Sequence, residues 1–151
     1  MPSNGQETKP IRLILDTNIL ISALLFSGKL GFIGGLIERG IITPCFIEST
    51  FREFQNALEY SKFTPALAKL DASPEQIIHA LAERSQVLAD PKEIPSLVPG
   101  EGDNYILAAA AAAKAAAIVT GDKLLLQLEH FQDIPIIKAK DLQNFLKFKG
   151  I

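Results

Sequence analysis

The segment "IRLILDTNILISALLFSG", residues 11–28, is an almost unbroken apolar run interrupted by Asp16, Thr17 and Asn18. An unpaired charge is expensive inside core-forming sequence, so any fold that accepts this run must compensate Asp16. Ile11 to Leu15 is short and rich in branched aliphatics, the pattern of a buried strand. "ILISALLFSG" then suits a helix ending near Gly28. The triplet thus sits where a strand ends and a helix begins, and in open α/β sheets such strand ends form the ligand crevice.

The rest of the chain repeats that alternation. A helix is expected over 30–39, stopped by Gly40, then a strand at "IITPCF" and a helix through 46–59. Ser73-Pro74 reads as a helix start, Ser as cap and Pro at the first helical position. Val87 to Ala89 suits a brief strand, and "PKEIPSLVPGEGD" a loop. "NYILAAAAAAKAAA" has the propensity of a strong helix whose alanines let it lie close to a sheet. "AIVT" is a strand, "DKLLLQLEHF" a helix, "IPIIKA" a last strand and "DLQNFLKF" a final helix. Strands alternating with helices predict an α/β fold with a parallel sheet covered on both faces.

With 151 residues, the chain is one ordinary domain. The polar start "MPSNGQETKP" predicts a disordered leader over 1–10, with the domain over 11–151. No apolar stretch is long and uninterrupted enough for a membrane span, so a cytoplasmic protein is expected. A net charge of −2 excludes a broad basic field, so a nucleic acid ligand must have its phosphates held locally. The single Cys45 has no partner thiol and reads as a small buried hydrophobe. His79 and His130 lack oriented partners in the sequence pattern and read as surface or partly packed residues.

Three acids fall at comparable places: Asp16 after the first strand, Asp122 after "AIVTG", and Asp103 opening the Ala-rich helix. Within 46–59, Ile47, Phe51, Phe54 and Leu58 make an apolar row, and Glu48, Arg52, Gln55 and Glu59 a polar one. Glu53 lies on the third, mixed row, with Phe46, Thr50 and Ala57, and is placed half-buried. Taken singly, Asp103 and Asp122 are helix caps and Glu53 a solvated carboxylate. Right-handed crossovers, however, deliver the strand ends to one edge, where Asp16, Glu53, Asp103 and Asp122 converge. Clustered carboxylates repel unless one stays protonated or a cation neutralises them. An all-oxygen set without Cys or His suits Mg²⁺ or Mn²⁺ rather than Zn²⁺, and metal-assisted phosphodiester hydrolysis is the chemistry such a set serves.

"LILDTNILISALLFSG", "FREFQNAL", "EGDNYILAAA" and "IVTGDKLLLQL" resemble, in order, the four acidic blocks of the PIN domain, most closely its bacterial toxin group. The resemblance runs from about residue 11 to the last helix. It implies a three-layer α/β/α fold around a parallel five-stranded sheet. It also implies a Mg²⁺- or Mn²⁺-dependent ribonuclease of single-stranded RNA, the toxin of a toxin–antitoxin pair and a homodimer. Asp16, Glu53, Asp103 and Asp122 would be its metal-binding and catalytic acids, with Asn18 bracing the Asp16 loop and Thr120 beside the pocket. Leu124 replaces an acid common in the family's fourth block, and Asn104 stands where relatives carry another acid, leaving one-metal and two-metal hydrolysis both open. The alternative is a PIN scaffold without turnover that binds RNA or protein. A haloacid-dehalogenase-type phosphatase would need an acid where Asn18 stands, and a receiver domain would need an early acidic pair.

Overall fold

The run Ile11–Leu15 forms strand β1, and Leu13, Ile14 and Leu15 are all buried, because β1 is covered on both faces. In the computed structural model, which describes residues 9–26 and 28–151, β1 lies near the middle of one sheet. The chain continues through α1 (Thr17–Leu25), α2 (Gly31–Glu38), β2 (Ile42–Ile47) and α3 (Glu48–Leu58). Next come α4 (Thr64–Lys69), α5 (Pro74–Ala82), β3 (Gln86–Leu88), α6 (Glu101–Ala113) and β4 (Ala117–Val119). The last elements are α7 (Lys123–Leu128), β5 (His130–Phe131), β6 (Ile134–Ile137) and α8 (Leu142–Phe148).

The strand order is β3-β2-β1-β4-β6-β5. From β1 the chain steps outward through β2 to β3, then returns to the other side of β1 as β4. That reversal opens a crevice beyond the carboxyl ends of β1 and β4. Parallel pairing aligns Leu13 with Ala117, Ile14 with Ile118 and Leu15 with Val119.

Side chains alternate between two cores, as the period of a strand requires. Leu13, Leu15, Ala117 and Val119 pack with Leu20, Ile21, Ile33, Phe54 and Leu142 of the helices on one face. Ile14 and Ile118 point the other way, onto Leu107, Ala109 and Ala110 of α6 and Leu125 of α7. The alanines of α6 serve as interlayer packing, as their propensity and small size suggest.

The expected architecture holds, with one more strand than expected. Five strands are parallel; the sixth, β5, is two residues long and pairs antiparallel with β6. Its residues had been read as the end of a helix. Glu129, however, takes a positive φ of 63°, so α7 stops at Leu128 and a tight hairpin follows. The helix after the triplet also begins earlier than expected, at Thr17. Ser73 and Gln76 form the capping box of α5, with Pro74 in its first turn. Cys45 is buried, and burial pushes its thiol up to about 11, so it is inert as a nucleophile. Among the described residues, no helix is long and apolar enough to cross a membrane. The leader expected over 1–10 lies, except for its last two residues, outside the described residues.

Arg12 and Lys114 close α6. Lys114 adopts a left-handed φ of 52°, and the Ala115 amide reaches back to the Ala110 carbonyl at 3.0 Å. Arg12 Nε donates to the Ala113 carbonyl at 2.8 Å. Glycine is the residue that adopts this cap conformation without strain. Lys114→Gly should therefore stabilise the fold by up to about 1 kcal/mol, read as a higher urea midpoint with unchanged slope. A lower midpoint would show that the lysine side chain contributes more than its backbone strain removes.

Candidate active site

The register of β1 with β4 builds the centre of the site. Leu15 and Val119 are paired, so the next residues, Asp16 and Thr120, leave the sheet side by side, and the Asp16 amide donates to the Val119 carbonyl at 3.0 Å. Thr120 is fully buried. Its Oγ1 donates to Asp16 Oδ2 at 2.6 Å and accepts the Asp122 amide at 3.0 Å. One hydroxyl thus ties the two acidic loops together, using both its donor and an acceptor position.

Asp122 is the N-cap of α7: its Oδ1 accepts the amides of Leu124 at 2.8 Å and Leu125 at 3.2 Å. The cap reading of this residue is correct, but both bonds go to the same oxygen. Asp103 is not a cap. The Ala-rich helix begins two residues before it, with Gly100 as N-cap, and Asp103 lies in the first turn. Glu53 is exposed, a correction to the half-buried position expected for it. The other three members of its row, Phe46, Thr50 and Ala57, are buried, so Glu53 alone emerges at the rim. Its Oε1 accepts from Thr17 Oγ1 at 3.0 Å, one residue from Asp16.

Asp103 reports how close these groups are. Its carboxyl is pushed up from 3.8 to about 6, first by partial burial, then by the charge of Asp122 and a hydrogen bond with it, then by the charges of Asp16 and Glu53. Four acids distant in sequence therefore act on one another. Burial is the largest cause, and the neighbouring acids add to it because like charges disfavour ionisation. Among the described residues, no three His, Cys, Asp or Glu side chains converge tightly enough to form a ready ligand shell. The donor set itself, all carboxylate and mutually repelling, fits a hard divalent cation.

Asn18 is exposed in the first turn of α1, and the bond that holds Asp16 comes from Thr120. Thr120 lies at the site as expected, fully engaged between two loops. Asn104 is buried and faces the loop before α6. Its Oδ1 accepts the amides of Leu97 and Val98 at 3.0 and 3.2 Å, and its Nδ2 donates to the carbonyls of Val98 and Gly100 at 2.8 and 3.1 Å. All four hydrogen-bonding positions of the amide are used, so this residue fixes the entry to Asp103. Leu124 is 41% exposed, so the position where relatives carry an acid faces solvent. His79 pairs with Glu83 on the surface of α5, and His130 is exposed in β5. Thr17 was missed by sequence reasoning; its place beside Asp16 in a helical first turn, within reach of the next helix, was the available signal.

A family model described as the PIN domain matches residues 12–124 of the 151. A search of the curated proteins gives no match. In structure the chain is similar to a chain of VapBC2 from Rickettsia felis, solved bound to a DNA fragment from their promoter. The TM-score is 0.56 with 15% identity, covering 85% of this chain and 98% of that one. At that identity the likeness is one of fold.

The raised carboxyl gives a pH-dependent stability in chelator. Because the folded state holds the Asp103 proton more tightly than the unfolded chain, the stabilising contribution is complete below 3.8 and is lost as the pH rises through about 6. Asp103→Asn should accordingly melt higher than the parent at pH 7.5 in EDTA, with the gap closing by pH 4. Equal melting temperatures at both pH values would show that the four charges do not interact.

Proposed function

The chain belongs to the PIN domain family, and from that membership we propose that it is a metal-dependent ribonuclease that hydrolyses single-stranded RNA, acting as the toxin of a toxin–antitoxin pair. The observation that carries the reading is that Thr120 ties the Asp16 carboxylate to the Asp122 loop at the crevice beyond β1 and β4, with Glu53 bonded to Thr17 beside them. A family of nucleases supplies the reaction class, and the fold's likeness to VapBC2 supports an antitoxin as partner.

Asp16, Asp103 and Asp122, with Glu53 from the rim, would hold Mg²⁺ or Mn²⁺. Such an ion, when bound, stabilises negative charge on a phosphoryl oxygen and makes water more acidic. The chain's own part is orientation. Thr120 fixes one oxygen of Asp16, the α7 amides fix one oxygen of Asp122, and Thr17 steadies Glu53. In each case the partner bonds to one oxygen, leaving the second free of that partner. Asp103, whose carboxyl is pushed up to about 6, is the acid on which a bound cation would most offset the repulsion.

Asp16→Asn and Glu53→Gln should fold normally and lose Mn²⁺-stimulated cleavage of single-stranded RNA, leaving 5′-phosphate ends only in the parent digest. Metal-independent cleavage that survives either change would falsify the mechanism. Calorimetric titration with Mn²⁺ adds a readout free of turnover: a protein that takes up no Mn²⁺ is a scaffold rather than this enzyme.

Thr120→Val keeps the shape of a fully buried side chain but removes the donor to Asp16 and the acceptor for the Asp122 amide. Groups that orient metal ligands typically contribute roughly 10–100-fold in affinity or activity. A loss of that size, with an unchanged far-ultraviolet circular dichroism spectrum, is the expected result. Full activity in Thr120→Val would mean that the paired loops hold the acids without the hydroxyl.

A further inference from the structure

A second concavity, of about 490 Å³, adjoins the acids between α3 and the start of α6. Arg52, Asn56 and Tyr60 line one side, and Glu101 and Tyr105 the other. Glu53 and Gly102 also line it, so cleft and acidic hollow share a wall. At Gly102 a Cβ would stand 3.6 Å from Glu53 Oε2, so the start of α6 lies in contact range of the Glu53 carboxylate.

Building on the ribonuclease reading, we propose that this cleft binds the nucleotide flanking the scissile phosphate of a single-stranded RNA. The base stacks on Tyr60 and Tyr105, and the adjoining phosphate meets Arg52. The volume lies within the roughly 300–1,000 Å³ of small-ligand sites. Tyr60 is 53% exposed, an apolar ring without cover, and Tyr105 is half-buried opposite it. Among the described residues, no carboxylate is within salt-bridge distance of the exposed Arg52; its charge reaches Asp90, which bonds to Ser49 of the same wall, without a direct ion pair.

The lining charges select the occupant. Glu53 and Glu101 would repel a phosphate held at the centre of the cleft. They favour a ligand that presents a neutral flat face inward and its negative charge toward Arg52. A nucleotide within a chain has that division, and free phosphate does not. Stacking on aromatic side chains is how proteins hold unpaired bases, whereas bases within a duplex are not free to stack in this way. With a net charge of −2, the protein needs such a local cation to position RNA beside its acids.

The protein contains no tryptophan and only two tyrosines, and both line this cleft. Tyrosine emission of the full chain therefore reports on it directly. In Asp16→Asn protein with Mg²⁺, a short unstructured RNA oligonucleotide should quench that emission saturably, while inorganic phosphate and an RNA duplex should not. One stacked base is worth roughly 1–3 kcal/mol, so Tyr60→Ala should weaken binding by about tenfold or more, and Tyr60→Phe should restore it. In the protein with all four acids intact, Tyr60→Ala and Arg52→Ala should raise KM and leave kcat nearly unchanged. Both residues are exposed, so neither change should disturb the fold.

The two readings fail separately. RNA that quenches in a protein whose parent cleaves nothing would retain the cleft and overturn the nuclease. Cleavage whose KM ignores both variants, or quenching matched by inorganic phosphate, would overturn the cleft and leave the nuclease standing.

Discussion

The bond from Thr120 to Asp16 is the restraint on which the site depends. Carboxylates gathered at a sheet edge repel, and without a fixed frame their side chains would turn apart into water. The frame here is the pairing of Leu15 with Val119, which sets the two following residues next to one another. Thr120, with no solvent exposure, has no water to replace its partners. It therefore holds both the Asp16 carboxylate and the backbone of Asp122, and Asp122 in turn starts α7. A single hydroxyl links the sheet, two acids and a helix.

Packing on the two faces of the sheet bears on the same restraint. One face carries large side chains from several helices, among them Phe54, Leu20 and Ile33. The other is covered largely by α6, whose Ala108, Ala109, Ala110 and Ala113 are buried. Small side chains allow a helix to lie close to the strands beneath it. Asp103 is in the first turn of that helix, so the depth to which α6 settles fixes how near its carboxylate comes to Asp122. Asn104, by tying down the loop at 97–100, sets where the helix starts.

How much of this was legible in the sequence depended on the range of the interaction. Strand β1 was readable because its signal is local: four apolar residues out of five, then a polar triplet. The α5 cap was readable for the same reason. The acids could be picked out because a parallel sheet brings its strand ends to one edge, a rule of topology rather than of contacts. The β5 hairpin was not legible, since no Gly announces either bend: Glu129 takes the positive φ that ends α7, and Gln132 the one in the hairpin turn. The exposure of Glu53 was hidden because periodicity assigns a residue to a row and not to a depth along it. The role of Asn104 was invisible for a different reason: its partners are the backbone amides and carbonyls of a loop, which any non-proline residues at 97 and 98 would have supplied.

Helix α3 shows how one short element serves both packing and chemistry. Its apolar row, with Phe54 and Leu58 fully buried, anchors the helix against the sheet. Glu53 follows in sequence from Arg52, and both line the cleft, with Glu53 on the wall it shares with the acidic hollow. The helix therefore presents opposite charges side by side without any change of backbone. A polyanion laid across this edge would meet acids that demand a counter-ion at one step and a guanidinium at the next. The alternation gives the chain a direction and a register. On the proposed ribonuclease reading, that local ordering of charge would stand in for the broad positive field that nucleic-acid binding otherwise uses.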